Sequence, residues 1–268
     1  MFNLNLCEEE LLRMKQEIQT FIKKEISNAG VEGAVLGLSG GIDSALTAKL
    51  AVEALGSKNV KVMFMPERGV TSEQDIKDVV ELARTLGVDN SIIEINNISN
   101  SFKKTFPFSD FKSGNRDFVL ANLKPRVRMC LLYMAANMKR LLVLGTGNKT
   151  ELLLGYFTKY GDGGVDLLPI GGLYKTQIKA LAEYLKLPRS FIEKPPSAGL
   201  WVGQTDEAEI GVDYRAIDII LYDHIELGLP EEEIVKKLDV TSEEVRRVLS
   251  LIAESKHKRI LPKIKEFT

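Results

Sequence analysis

Cys7 and Cys130 are the only cysteines in 268 residues. They lie far apart and in no metal-spaced pattern, which excludes a disulfide framework and a cysteine-based zinc site and points to a reducing compartment. No apolar run approaches the ~20 residues of a membrane span, and no basic N-terminal segment is followed by an apolar core. A cytoplasmic protein without a membrane partner is therefore expected. The net charge is only −1, so the composition offers no bulk attraction for nucleic acid. The Walker pattern Gly-x4-Gly-Lys-Ser/Thr is also absent, which excludes the commonest phosphate loop. What remains is a globular chain, 44% apolar, long enough to bury a large core.

A different phosphate loop is present. The apolar run Ala34 to Leu38 ends at Ser39-Gly40-Gly41-Ile42-Asp43-Ser44 and opens into an Ala/Leu-rich helical pattern ending at Leu55, the order strand, tight turn, helix. Gly40 and Gly41 let the backbone turn with positive φ and come close to a ligand. The first amides of the following helix have no intrahelical partner and attract an anion with the help of the helix dipole. Ser39, Gly40, Gly41, Ile42, Asp43 and Ser44 are thus candidates for holding a phosphate chain. A carboxylate at Asp43 beside that anion makes electrostatic sense only with a bridging divalent cation.

Along the chain, Leu11, Leu12, Met14, Ile18, Phe21, Ile22 and Ile26 recur at helical spacing before Gly30. Val60 to Met65 reads as a second strand, and Arg68 leaves its C-terminal end, where open parallel sheets bind ligands, so it is placed either to touch a nucleotide or to stand as a solvated loop arginine. A helix covering Ile76 to Leu86 and a strand over Ser91 to Ile95 follow. Asn97 to Asp117 carries Phe102, Phe106, Phe108 and Phe111 without a sustained period and reads as a long irregular loop. Phe118 to Met138 reads as a helix with Lys124, Arg126 and Arg128 near its start, where basic groups oppose the dipole and so are expected to face an anion. The strand Leu141 to Gly145 closes the alternation, and beyond Trp201 the pattern is of short helices, one of them opening with a capping box from Thr241 to Glu244. The expected fold is α/β: one domain over 1–268, with an N-terminal helix in 1–30, a core over 31–200 and a helical part over 201–268. The core is an open, doubly wound, mostly parallel sheet of about five strands with helices on both faces.

A second group of chemistry-bearing residues follows the strand at Leu141: Thr146-Gly147-Asn148-Lys149-Thr150-Glu151, then Thr158-Lys159-Tyr160-Gly161-Asp162-Gly163-Gly164-Val165-Asp166, then Tyr174-Lys175-Thr176. Glu151 offers a second hard oxygen ligand for the cation at Asp43, and Lys159 and Lys175 offer positive charge to phosphates. The Asp162 to Asp166 spacing lacks the EF-hand pattern of a calcium loop.

The Ser-Gly-Gly-x-Asp-Ser loop resembles that of the N-type ATP pyrophosphatases, with their adenine nucleotide alpha hydrolase-like fold. The Gly-Thr-Gly-Asn-Lys-Thr-Glu run, the Gly-Tyr-Phe-Thr-Lys-Tyr-Gly-Asp-Gly-Gly run, Pro-Ile-Gly-Gly-Leu-Tyr-Lys-Thr-Gln, Lys194 to Trp201, Gly203 to Glu207 and His257-Lys258-Arg259 are similar to the ammonia-dependent NAD synthetases, over nearly the whole chain. The resemblance implies an amide-forming ligase in which the carboxylate of deamido-NAD attacks ATP, pyrophosphate leaves, and ammonia displaces AMP. It implies that Gly37 to Ser44, Thr146, Lys175 and Ser197 hold ATP, and that Asp43 and Glu151 hold Mg²⁺. Arg126, Lys159, Asp166, His257 and Lys258 would hold deamido-NAD, and Asp166 would bind ammonia or take its proton. Asp43, Lys175 and Asp166 would carry the catalysis. A homodimer joined through the Phe118 to Met138 helix is implied as well. A glutaminase domain has no room in this length, although a separate glutaminase chain stays open.

Two other readings stay open at this level. One is another ATP pyrophosphatase, amidating or tRNA-modifying; a tRNA enzyme should add an RNA-binding region and a cysteine near the loop, and neither is visible. The other is a catalytically dead adenine-nucleotide binder, against which Asp43, Glu151, Lys159, Lys175 and Asp166 stand together.

Overall fold

The computed structural model describes residues 6–111, 114–201, 203–237 and 240–266. In chain order the elements are α1 (Glu8–Ala29), β1 (Gly33–Gly37), α2 (Ile42–Leu55), β2 (Val60–Phe64), α3 (Glu73–Leu86), β3 (Asp89–Ile92), α4 (Asn96–Thr105), α5 (Arg116–Lys139), β4 (Leu141–Leu144) and α6 (Lys149–Leu154). They continue with α7 (Lys175–Tyr184), α8 (Arg189–Ile192), α9 (Asp206–Ile210), α10 (Tyr214–Ile225), α11 (Glu231–Lys237) and α12 (Ser242–Glu254). Within the described residues no helix is long and apolar enough to cross a membrane.

The strands form one parallel sheet in the order β3-β2-β1-β4. Beyond β4 the chain returns for one parallel bridge, Leu144 to Leu167, in place of a full fifth strand. Side chains alternate across the sheet. Ala34 and Leu36 of β1 enter one core with α1, α2 and α7, whereas Val35 enters a second with Val127, Leu132 and Ala136 of α5. Both faces are therefore covered, which is why the strands read as apolar runs. The C-terminal helices bury a third core of their own around Ile217, Ile220, Leu221, Ile234, Val245 and Val248, joined to the body through Leu154 and Tyr174.

The strand order reverses between β1 and β4. In parallel sheets the crevice at such a reversal, outside the carboxyl ends of the strands, is where ligands lodge. The Gly37 to Ser44 loop follows β1 and the Thr146 to Glu151 segment follows β4, so the fold puts both chemical motifs at one crevice.

Two local expectations are corrected. The segment 97–117 is not one irregular loop. Its first part is α4, and Phe106 packs against Phe108 and Phe111 with ring centroids 4.8 and 5.0 Å apart, while Arg116 lies over the Phe108 ring. Only Ser99 of α4 is buried, so a mostly polar helix left little apolar periodicity to read; Lys112 and Ser113 lie outside the described residues. Second, α5 begins at Arg116, capped by the Asn115 side chain, which accepts from Asp117 N–H and Phe118 N–H. Lys124, Arg126 and Arg128 therefore sit in its third and fourth turns, away from the dipole's positive end. Pro125 is interior as well; its missing N–H spoils one helical bond, and the 158–164 turn packs so closely there that a Cβ on Gly161 would meet Pro125 Cβ at 2.9 Å.

Candidate active site

The loop after β1 is held open by its own hydroxyls. Ser44 Oγ donates to Gly41 O at 2.9 Å and accepts from Ser39 N–H at 3.0 Å, and the two serine oxygens lie 3.0 Å apart. Gly40 turns the chain at φ +86°, and a side chain there would press on Asp75 at 3.3 Å; Gly41, also expected at positive φ, is extended at φ −97° because it stands at the N-cap of α2. The first i to i−4 bond of α2 runs from Ala45 N–H to Gly41 O. The amides of Ile42, Asp43 and Ser44 thus precede the helical ladder and face the crevice as an anion cradle.

Three titratable side chains from three elements meet beside this cradle. Lys175 Nζ, at the start of α7, donates to Asp43 Oδ2 at 2.6 Å and to Glu151 Oε1 at 3.2 Å. Glu151 Oε2 accepts Asn148 N–H at 3.3 Å while Asn148 Oδ1 accepts Glu151 N–H at 3.0 Å, a reciprocal cap that fixes how the carboxylate enters the crevice. Asn148 Nδ2 then donates to Asp43 Oδ1 at 2.9 Å, closing the ring. Burial lowers the affinity of Lys175 for its proton, but Asp43 and Glu151 outweigh it and hold the ammonium above the ordinary lysine range. Burial pushes the Glu151 carboxyl up to about 8, with Lys175 opposing and Asp43 adding to the rise.

That shift has a sign. Between about pH 4.5 and about 8 the folded state holds a proton on Glu151 that the unfolded chain releases, so this group makes stability fall as pH rises through the window. Thermal unfolding of the ligand-free protein should show this decline, and Glu151→Gln should show a shallower one. Equal slopes for both chains would take the shift away from Glu151.

Among the described residues no three metal-ligating side chains converge. Two do: Asp43 and Glu151 reach one cation, the Lys175 ammonium. A pair of carboxylates beside an anion cradle suits Mg²⁺, which is commonly held by one or two carboxylates together with substrate phosphates.

Four of the residues expected around the second substrate, Arg126, Lys159, His257 and Lys258, also form a contiguous group. Arg126 Nε and Nη2 donate to Lys159 O at 3.3 Å, and Lys159 Nζ donates to His257 O at 2.6 Å. Lys258 Nζ donates to Gly155 O at 2.7 Å and Phe157 O at 2.8 Å, so it closes the C-terminal end of α6 as well as adding charge. Burial, with Arg126 and Arg259 nearby, pulls the Lys258 ammonium down while Asp162 opposes. Gly155 is required for this docking, because a Cβ there would fall 2.0 Å from Ser255 Cβ.

Asp166 stands at the exposed edge of β4, where Oδ2 accepts Val143 N–H at 2.7 Å and Oδ1 accepts the Tyr133 hydroxyl at 2.9 Å. Arg68 is exposed at the end of β2, its backbone clasped by the Asn96 side chain. Lys124 faces an anion of the chain itself, pairing with the Glu67 carboxylate and donating to Leu200 O, and Arg128 donates to Met65 O at 3.0 Å. Ser197 is exposed and accepts Gly199 N–H at 3.1 Å, in a turn anchored by Asp206, which accepts Ala198 N–H at 3.0 Å. Thr146 follows β4 at the crevice.

Sequence reasoning missed two members. Asn148 was legible as the cap of an Asn-x-x-Glu capping pattern. Lys194 was not: its Nζ donates to Gly40 O at 3.3 Å and pairs with Asp75, a meeting of positions 154 residues apart that no local pattern announces.

A profile of the NAD synthase family matches residues 14–262. The chain belongs to the NAD synthase family. An NH(3)-dependent NAD(+) synthetase of Archaeoglobus fulgidus is 49% identical over 253 residues, 94% of this chain and 96% of the relative. The same-named enzyme of Methanococcoides burtonii is 47% identical over 255 residues, 95% of each. Among solved structures, an NMN synthetase from Francisella tularensis superposes with a TM-score of 0.81 at 33% identity, covering 96% of this chain and 99% of its own. An NH3-dependent NAD synthetase from Campylobacter jejuni gives a TM-score of 0.79 at 34% identity, with the same coverage. The NAD synthase assignment thus spans the sheet, the crevice and the C-terminal helices together.

Proposed function

We propose that this NAD synthase family member is a ligase that amidates the nicotinate carboxylate of deamido-NAD with ammonia, splitting ATP into AMP and pyrophosphate, in the last step of NAD biosynthesis. The observation that carries the reading is the meeting of Asp43, Glu151 and Lys175 beside the Gly37 to Ser44 cradle, in a chain nearly half identical to NH(3)-dependent NAD(+) synthetases along almost their full length.

Chemically, the substrate carboxylate attacks the α-phosphorus of ATP and pyrophosphate departs. Ammonia then attacks the carbonyl of the acyl-adenylate, loses a proton, and AMP departs. The reaction asks for positioning and neutralised oxygens. The amides of Ile42 to Ser44 and the hydroxyl of Ser39 receive the phosphate chain, and Lys175 supplies positive charge to it. Asp43 and Glu151 would hold Mg²⁺, which supplies charge neutralisation to the phosphates. Thr146, Ser197 and Arg68 border the nucleotide. Arg126, Lys159, His257 and Lys258 receive deamido-NAD. Asp166 keeps further lone pairs beyond those given to Tyr133 and Val143, with which it holds ammonia or accepts its proton. A second copy of the chain docks on α5, where Phe118, Val119, Met134 and Met138 are exposed. Cytoplasmic placement agrees with the two free cysteines.

The test is purified protein with ATP, Mg²⁺, ammonium and deamido-NAD, followed for NAD, AMP and pyrophosphate. Release of ADP, or no amide, sinks the reading. Nicotinate mononucleotide supplied in parallel distinguishes the NMN-forming activity named for the Francisella neighbour. Glutamine in place of ammonium tests the nitrogen donor.

A further inference from the structure

A fully buried carboxylate lies behind the charged cluster without touching it. Asp218, on α10, is 0% exposed. Its Oδ1 accepts the Thr150 hydroxyl, its Oδ2 accepts Thr176 N–H at 2.8 Å, and Thr150 Oγ1 in turn accepts Lys175 N–H at 3.0 Å. Thr150 immediately precedes Glu151, and Thr176 immediately follows Lys175. One side chain from the helical C-terminal part therefore ties the start of α6 to the start of α7, the two segments that deliver Glu151 and Lys175 to the crevice.

The arrangement is costly unless it serves something. A buried carboxylate demands compensation, and burial pushes the Asp218 carboxyl up while the bonds from Thr150 and Thr176 pull it back. Asp223, one and a half turns along the same helix and equally buried, is balanced by Lys237 at 2.7 Å. Asp218 takes part in no ion pair among the described residues; the amides at the N-terminal end of α7 balance it instead. A charge-for-amide contact of this kind fixes direction as well as distance.

We infer that Asp218 is a positioning residue, which sets the spacing of Lys175 against Glu151 and Asp43 by clamping Thr150 and the first turn of α7. An amide at this position must either set its NH₂ against Thr176 N–H, donor against donor, or turn it toward Thr150 and reverse that bond, which takes the Thr150 O–H away from its acceptor; in either case Asp218→Asn weakens the clamp at nearly constant volume. Asp223→Asn is the matched control, a buried acid on the same helix facing away from the crevice.

Crystal structures and steady-state kinetics of both variants test the role. In Asp218→Asn, Lys175 Nζ should leave hydrogen-bond reach of Asp43 or Glu151, and kcat should fall about a hundredfold, the cost of a misplacement on the order of 1 Å. Asp223→Asn should keep both features however far its unfolding temperature drops. If Asp218→Asn does not fold, Thr150→Val removes the same link from the other end and should move both readouts the same way. Lys175 still bonded to both carboxylates in Asp218→Asn or Thr150→Val overturns the inference. So does a kcat loss no larger than that of Asp223→Asn at equal folded fraction. The kinetic arm rests on the amidation reading and the crystallographic arm does not, so a wild-type protein without amidation would sink the function and leave the positioning role to the structures.

Discussion

Asp43→Asn is expected to lower turnover about 10³-fold, the upper range for losing one preorganised electrostatic contact, while circular dichroism and the cooperative unfolding transition stay close to wild type. Both carboxylate oxygens of Asp43 accept, one from Lys175 Nζ at 2.6 Å and the other from Asn148 Nδ2 at 2.9 Å. An asparagine must turn its NH₂ toward one of these two donors, so one contact becomes donor against donor. The negative charge that draws a divalent cation to the phosphate cradle is lost at the same time. The fold has little reason to fail, because Asp43 lies in the first turn of α2 with its side chain in the crevice, and the helix is fixed by Ala45, Leu46, Ala48 and Leu50 in the core. Measured kcat at wild-type level would show that the cation is not held at Asp43.

Lys175→Met is expected to act on both activity and stability. Removing the ammonium should lower kcat/KM for ATP by about 10²–10³. It also leaves Asp43 and Glu151 facing each other without a cation, and an uncompensated buried charge typically costs about 3–5 kcal/mol. Glu151 already holds its proton up to about pH 8, and without Lys175 it holds it further. The penalty should therefore be small near pH 6, where protonation of Glu151 removes the repulsion, and larger above pH 8, where keeping that proton works against the solvent. The unfolding-temperature gap between variant and wild type, measured across this range, should widen with rising pH. A gap independent of pH would mean that Lys175 stabilises by packing over the Tyr214 ring, 5.3 Å from its ammonium, more than by charge. Arginine should not rescue activity, since its planar fork needs a different geometry from the point charge that sits between two carboxylates.

Much of the architecture was legible because it rests on short-range rules. The apolar runs at Ala34 to Leu38, Val60 to Met65 and Leu141 to Gly145 are strands, the periodic stretch from Leu11 to Ile26 is α1, and the glycine turn at Gly40 and Gly41 lies between strand and helix. The failures also have local causes. α4 presents too little apolar surface to show a period. The start of α5 is set by an Asn115 cap, whereas the apolar residues that mark that helix begin later; this displaced Lys124, Arg126 and Arg128 toward an end they do not occupy. The fifth strand shrinks to a single bridge because Asp166 turns its carboxylate onto the β4 edge and takes the Val143 N–H that a longer strand would have bonded.

The sequence by itself determined the alternating α/β order, the anion cradle and the residue types of the site, since turn chemistry, hydrophobic period and helix capping act over a few residues. Only the tertiary structure decided which of those residues meet. Lys175 reaches Asp43 across 132 positions, Lys194 reaches Gly40 across 154, and Asp218 clasps Thr150 across 68. Such contacts depend on how the strand order reverses between β1 and β4 and on where the C-terminal helices bury their own core, and both are settled by packing the whole chain.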